Sequence, residues 1–350
     1  MGELHDLIAE RGKRAVLQEG TARRNVIETA AAYLTDESDA IACAYSGWAQ
    51  CALPHRRLPP DQHWEVASGP MALVVEPGRR RLPSGELQWV GVPFGAHARL
   101  ILLYLQTQAL RRDSREVPLG DSWRDWLQRM GLSWGGNSGR SVREQAELLS
   151  RCRMTFHFGR GGMQGFINQT VVEGALFLEV DDEGRQGRLA LDCATLSEAY
   201  FRQLKRHPLP IEEAAIRALA NDSAALDCYL WLAYRLHSLD EPKLVSWKAL
   251  KEQHGRGYKA MKHFRARFPV LLGLATAVYP AAHVEMTDEG VVLHPSVPPV
   301  ARRTVRVSAL PRAREGTVDR IPTPPWCTAS ARRGGTAAKA LLWPWSRMTA

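Results

Sequence analysis

The stretch VPFGAHARLILLYLQTQALRRDSREVPLGDSWRDWLQRMGLSWGGNSGRSVREQAELLSRCRMTFHF, residues 92–158, decides the fold. Over Ala96 to Arg112, Leu100, Ile101, Tyr104, Leu105 and Gln108 lie along one side of a helix that Arg111, Arg112 and Asp113 close, which predicts a core helix. Val117-Pro118-Leu119 reads as a brief strand. Asp121 or Ser122 can cap a following helix with the apolar stripe Trp123, Trp126, Leu127 and Met130. Gly131 to Gly139 reads as a turn, and Ser138 or Ser141 can cap a second helix to Cys152 that turns Val142, Ala146 and Leu149 inward and Arg140, Arg143, Glu147 and Arg151 outward. Helix, strand, helix, turn, helix and strand in that order predict a winged helix-turn-helix, whose second helix of the pair enters the major groove of DNA.

On the N-terminal side, residues 1–43 read as a helical arm, with Leu4, Leu7 and Ile8 and then Ile27, Ala30, Ala31 and Leu34 at helical spacing. Met71 to Val75 and Leu87 to Val92 read as strands around a Pro77-Gly78 turn and the charged patch Arg79 to Arg81. On the C-terminal side, Met154 to Phe158, Val171 to Val180 and Arg188 to Leu191 read as strands, separated by the turns Arg160 to Gly162 and Asp181 to Gly184. Thr195 to Arg206 reads as a helix that Pro208 and Pro210 stop, so a boundary fits there. The order of elements then recurs: helices over Ile211 to Leu219 and Ala224 to Leu236, a strand Leu244 to Ser246, a helix Trp247 to His254, the turn Gly255 to Gly257, a helix Tyr258 to Phe268, and a hairpin Val284 to Met286 with Val291 to Leu293. The expected class is α+β, with an arm (1–43), a first winged-helix domain (44–207), a second (208–300) and a disordered basic tail (301–350).

The segments GVPFGAHARLILLYLQTQA, SREVPLGDSWRDWLQRMGL and GRSVREQAELLSRCRMTF resemble the plasmid-encoded RepA replication initiators of bacteria, most strongly over Gly91 to Arg153 and more weakly from about Ala44 to Val300. The resemblance implies two winged-helix domains, binding to repeated sites in double-stranded origin DNA, origin opening, recruitment of host replication proteins, and exchange between homodimer and monomer.

The chain has 350 residues, 45% of them hydrophobic and 8% aromatic, which is the composition of a globular protein long enough for two domains. Glu3, Asp6, Glu10 and Arg11 interrupt any opening apolar run, so no secretory signal is visible and a cytoplasmic location is expected. The most apolar internal run, Pro269 to Ala282, is shorter than the roughly 18 residues of a membrane span and reads as a buried helix. The six cysteines show no CxxC pair and read as free thiols in a reducing compartment. The net charge is +9, but residues 301–350 hold ten Lys or Arg against Glu315 and Asp319, leaving about +1 for the first 300.

Local charge is therefore the sharper signal. Lys248 to Phe268 carries Lys248, Lys251, Arg256, Lys259, Lys262, Arg265 and Arg267, with His254 and His263, against Glu252 alone. Met261, Phe264 and Phe268 are spaced to anchor the helix, which leaves Lys259, Lys262, His263 and Arg267 outward to meet phosphates or guanine edges. A charge run most often marks a solvated face, and for Arg140, Arg143 and Arg151 that reading is the stronger one, because Glu144 and Glu147 can pair with them along the helix. The second helix pair thus ranks first as base reader.

Catalytic motifs are weak. Gly135 to Ser141 lacks the spacing and the lysine of a phosphate loop, and GRGGMQG at Gly159 to Gly165 precedes no helix. No His-x-His, as rolling-circle nucleases use for a metal, occurs among the eleven histidines, and His157 sits in a strand. The expected protein is a DNA-binding replication initiator with no catalytic centre, cofactor, metal or membrane segment; the alternative is a winged-helix transcriptional regulator without a replication role.

Overall fold

A computed structural model of the chain describes residues 2–69, 71–120, 123–132, 135–160, 163–174 and 193–300. The N-terminal part holds α1 (Gly2–Glu19), broken at Gly12 where φ is 78°, then α2 (Arg24–Leu34), β1 (Ile41–Tyr45), β2 (Trp64–Ser68), β3 (Met71–Glu76), β4 (Gly78–Arg81) and β5 (Leu87–Gly91). The middle holds α3 (Gly95–Arg112), β6 (Glu116–Pro118), α4 (Trp123–Arg129), α5 (Gly136–Arg151), β7 (Arg153–Arg160), β8 (Met163–Gln169) and β9 (Val172–Gly174). There follow β10 (Cys193–Leu196), α6 (Glu198–Arg206), β11 (Pro208–Glu212), α7 (Glu213–Ala218), α8 (Ser223–Arg235), β12 (Lys243–Ser246), α9 (Trp247–His254), α10 (Met261–Ala277), β13 (Val284–Met286) and β14 (Gly290–Leu293).

The strands form five antiparallel groups, ordered β2-β3-β7-β8, β6-β10-β9, β12-β14-β13, β1-β11 and β4-β5. The two three-stranded sheets share an arrangement. In each, the strand that precedes a helix pair (β6 before α4 and α5, β12 before α9 and α10) lies beside the last strand of the sheet, with the other returning strand outside it. The mixed α and β architecture agrees with the class read from the sequence.

α3 is the centre of the packing. The sequence predicts one apolar side; the helix is instead buried nearly all round, with eleven of its 18 residues enclosed. Ala98, Ile101, Leu102 and Leu105 join a cluster with Trp48, Leu73, Trp126, Leu149, Phe156 and Tyr200. Leu100 and Leu103 join a second cluster built from α1, α2, α8 and α10, including Ile8, Ile27, Leu226, Trp231, Phe264 and Leu271. A helix with apolar partners on both flanks has no polar stripe to keep. Its buried polar residues are Arg99, Gln106 and Thr107, whereas Gln108 is only half-buried: the Tyr45 N–H donates to Gln106 Oε1 (2.5 Å) and the Cys43 N–H to Thr107 Oγ1 (3.0 Å). Those two side chains satisfy the edge of β1 that β11 leaves open.

Arg99, also on α3, is 5% exposed, and Asp227 of α8 is 4% exposed. They form a bidentate pair, Nε to Oδ1 at 2.8 Å and Nη2 to Oδ2 at 2.7 Å. The remaining guanidinium protons go to the carbonyls of Leu53 (2.6 Å), Gly95 (2.8 Å) and Pro54 (3.2 Å). A buried ion pair is tolerated when its hydrogen bonds are completed in this way.

Several local expectations are corrected. α5 starts at Gly136, with Gly135 as its N-cap, so Ser138 and Ser141 lie inside the helix and the turn is shorter than Gly131 to Gly139. α10 starts at Met261, not Tyr258, and runs through Pro269 to Ala277, joining two stretches that the sequence presents separately. Proline costs a helix interior about 3 kcal/mol, and burial of Val270, Leu271, Leu272 and Leu274 beyond it outweighs that. Met163–Gln169 is a strand that the sequence reading lacks, paired with β7. Thr195 and Leu196 belong to β10, and α6 begins at Glu198 behind the Ser197 cap. Pro208 and Pro210 do stop α6, but the extended chain they impose pairs with β1, so Ile211 is in a strand and the helix begins at Glu213. Asp121, Ser122, the segment 175–192 with its acidic turn, and residues 301–350 lie outside the described residues.

The N-terminal helices pack into the second cluster, with His5 Nε2 hydrogen-bonded to the Ala277 carbonyl at 2.8 Å. A Cβ placed on Gly273 of α10 would lie 3.3 Å from Val26 of α2, so these helices approach closely.

Asp227→Ala leaves the Arg99 guanidinium buried without its carboxylate and should cost about 3–5 kcal/mol of stability. Denaturant unfolding of Asp227→Ala and of the double variant Arg99→Met/Asp227→Leu measures this; the double variant is expected to be the more stable of the two.

Candidate nucleic-acid interface

α9 and α10 are a short and a long helix joined by a tight turn. Ser246 caps α9, its Oγ accepting from the Ala249 N–H at 3.3 Å. The Gly255 N–H donates to the Lys251 carbonyl at 2.8 Å, and a Cβ at Gly255 would meet the Phe264 ring at 2.6 Å, so the turn requires glycine. Phe264 and Phe268, both 0% exposed, occupy positions i and i+4 on the inner side of α10 and meet Trp247 edge-to-face at 6.4 and 6.1 Å. The C-terminal half of α10 is buried on all sides, whereas its first two turns are buried on the inner side only and expose Lys262, His263, Arg265 and Arg267 on the outer one.

Lys248, Lys251 and Arg256 come together around a cleft of about 400 Å³, with Glu252, Met261 and, from β2, Ala67. The Arg256 guanidinium lies 5.8 Å from the Trp64 ring centre. Lys248 and Lys262 stand in the first turns of α9 and α10, where the helix dipole disfavours cations, while Lys259 stands in the turn just before α10. An anion at such a place is favoured by both the lysines and the helix ends. Lys248, Lys251, Lys259, Lys262 and His263 make no ion pair among the described residues. Arg265 and Arg267 are held: Arg265 Nη2 donates to the Asp288 carbonyl at 2.9 Å and lies 5.1 Å from the Trp247 ring centre, and Arg267 is 3.7 Å from Asp222.

The first helix pair differs. Arg140 is exposed and Arg143 half-buried. Arg151 pairs with Glu147 at 3.2 Å, Arg80 approaches the same carboxylate at 3.6 Å, and Glu144 is paired not within its helix but with Arg57, at 2.5 Å. The β4–β5 hairpin also sits on the C-terminal half of α5: Arg151 Nη1 donates to the Arg79 carbonyl at 3.3 Å, and a Cβ on Gly78 would fall 2.2 Å from the Arg151 carbonyl oxygen. Part of the arginine-bearing face of α5 is therefore occupied by the chain itself. Trp64 and Ala67 were missed by sequence reasoning as neighbours of the basic cleft, because nothing local in residues 64–67 signals contact with α9.

Beneath the cleft lies His254, the last residue of α9, 5.1 Å from the Trp231 ring and 5.7 Å from that of Phe268. Its Nε2 has no hydrogen-bond partner, and burial pushes its pKa down to about 4. Half-buried His55 is also lowered to about 4, first by burial and then by the Arg99 charge. No group of His, Cys, Asp or Glu suited to hold a metal ion is found among the described residues, and no helix there is long and apolar enough to cross a membrane. Cys43, Cys51, Cys152, Cys193 and Cys228 are free thiols, and Cys327 lies outside the described residues.

A replication-initiator family is the class to which the sequence resemblance points, and the comparison with family models agrees: residues 92–249 match the model described as plasmid encoded RepA protein. The match covers α3 through the start of α9, including Arg140, Arg143, Arg151 and Lys248, and ends before the turn and α10. Two crystal structures of domains 2 and 3 of RctB, one of them of selenomethionine derivatives, are each 13% identical to the chain, with TM-scores of 0.49 and 0.43. They cover 73% and 71% of this chain and 99% and 94% of their own. No curated protein matches the sequence.

His254 binds a proton more readily in the unfolded chain than in the folded one, so its burial contributes stability that is present above about pH 6.5 and lost as pH falls toward 4. Unfolding followed across pH 4–7 should show that loss in the natural chain, with His254→Phe losing about 3 kcal/mol less over the same window; parallel profiles would contradict it.

Proposed function

We propose that this protein initiates plasmid replication by binding repeated sites in double-stranded origin DNA, with α9 and α10 as its principal contact. The observation that carries this reading is the exposed outer face at the start of α10 and the turn before it, where Lys259, Lys262 and His263 have no ion pair among the described residues while Phe264 and Phe268 fix the helix from behind. A recognition helix of a helix-turn-helix presents its N-terminal residues to the groove in just this way. The family match over residues 92–249 supports the replication role.

Each three-stranded sheet with its helix pair has the order of a winged helix, so two such domains in tandem are the natural reading of the fold. In the second, the β13–β14 hairpin serves as the wing, and Arg265 bonded at its turn holds helix and wing together. Lys248, Lys251 and Arg256 bind the phosphate backbone from the cleft, and Arg267 lies on the flank of the same helix. Arg140, Arg143 and Arg151 contribute less, since Arg151 is already paired and the hairpin covers part of α5.

Origin opening, recruitment of host replication proteins and exchange between homodimer and monomer are part of this proposal, on the resemblance to the RepA initiators. The protein acts by binding, without a catalytic step. Among the described residues β8 is an edge of the four-stranded sheet, and an edge of this kind would suit pairing with a second copy.

Footprinting of the purified chain on DNA flanking its own gene, with random-sequence competitor, tests the reading. Protection of regularly spaced direct repeats is expected; a single protected inverted repeat over the promoter would mark a transcriptional regulator instead. Replacing Lys248, Lys259 and Lys262 by Ala should flatten the plot of log affinity against log salt by about 0.9 for each phosphate that is no longer neutralised. Arg140→Ala should change it little.

A further inference from the structure

The β4–β5 hairpin is a two-stranded sheet in its own right, and its two faces differ. Arg79 is opposite Trp89, Arg80 opposite Gln88 and Arg81 opposite Leu87. Residues directly opposite across an antiparallel pair share a face, and neighbours along a strand alternate. One face therefore carries Arg80 and Gln88, and it is turned to α5, where Arg80 approaches Glu147 at 3.6 Å and its Nε donates to Gln88 at 2.9 Å. The other carries Arg79, Arg81, Leu87 and Trp89 and is turned away from α5.

That outer face is unusual for a surface. Leu87 is 57% and Trp89 39% exposed, two of the eight large hydrophobic side chains exposed among the described residues, and both are on one five-residue strand. The Arg79 guanidinium lies 3.8 Å from the centre of the Trp89 ring, a stacked cation and indole. Arg79 and Arg81 make no ion pair among the described residues, so the face holds two free positive charges beside its apolar surface. The hairpin is seated on α5, where Gly78 approaches the end of the helix closely and Arg151 bonds to the backbone of β4. An exposed strand pair with an aromatic ring and arginines that lack carboxylate partners among the described residues fits a polyanion whose bases are unstacked, since phosphates meet the arginines and a base stacks on the indole or on a guanidinium plane.

We propose that the outer face of the β4–β5 hairpin binds single-stranded DNA, with Trp89 and Leu87 as the base platform and Arg79 and Arg81 as phosphate contacts. The site is separate from the α9–α10 interface and rests on the proposed function only for the source of an unpaired strand, which origin opening supplies.

Fluorescence anisotropy of the full chain with a labelled 20-nucleotide oligodeoxythymidylate tests it, alongside the duplex footprint on the same samples. Trp89→Ala should weaken binding to the oligonucleotide roughly five- to hundredfold. Trp89→Phe should retain most of it, and Arg79→Ala/Arg81→Ala should flatten its salt dependence. Duplex protection should be unchanged in all three. Arg81→Glu, a change on the outward face, checks the site independently of the tryptophan and should also weaken the oligonucleotide. Oligonucleotide binding by Trp89→Ala and Arg81→Glu equal to the natural chain, or no binding by the natural chain, would overturn the proposal. An equal loss on duplex and single strand would overturn the single-strand assignment. Failure of the footprint with Trp89-dependent oligonucleotide binding intact would remove the proposed function and leave this site standing.

Discussion

The pair between Arg99 and Asp227 is the constraint on which the arrangement depends. α3 supplies the guanidinium and α8 the carboxylate, so the one contact joins the helices that precede the two helix pairs. The same guanidinium gathers the carbonyls of Leu53, Pro54 and Gly95, which fixes the long connection between β1 and β2 against the start of α3. Two apolar clusters could in principle slide over each other, since dispersion and burial are not directional. A bidentate charge pair with every proton assigned allows one relative position.

From that fixed centre the two helix pairs diverge in character. α5 faces its own chain: Glu147 and Glu144 draw arginines from the hairpin and from residue 57, and Gly78 lets β4 touch its end. At the start of α10, Lys262 and His263 have no carboxylate partner among the described residues, at a helix end where positive charge is least welcome, while Arg267 further along meets Asp222. Charge that the fold pairs on α5 and leaves without carboxylates at the start of α10, among the described residues, is the physical difference between the two helix pairs.

The sequence made the two helix pairs and the polarity of α10 legible because both rest on local periodicity: Phe264 and Phe268 must point one way, and the cations between them another. The strands before each helix pair were legible too, whereas Ile41–Tyr45, Trp64–Ser68 and Met163–Gln169 were not read as strands. What it hid was long-range. Nothing near Arg99 announces that Asp227 will neutralise it, and the Arg79 to Arg81 run reads as charge without showing that Trp89 lies opposite Arg79. The two prolines before Ile211 read as a stop, whereas pairing with residues 41–45 turned the stop into a strand. Pro269 likewise reads as a helix end until the burial of everything beyond it is known.

α10 is one continuous helix through Pro269, with a cationic face exposed at its start and its far half clasped by α2, α8 and the first turn of α1, where Val26 nearly touches Gly273 and His5 bonds to Ala277. The seat of the exposed cations is therefore built partly from the first 34 residues, far along the chain from Lys262 and His263: substitutions in α1 or α2 that loosen this packing act on the far half of the helix that carries them.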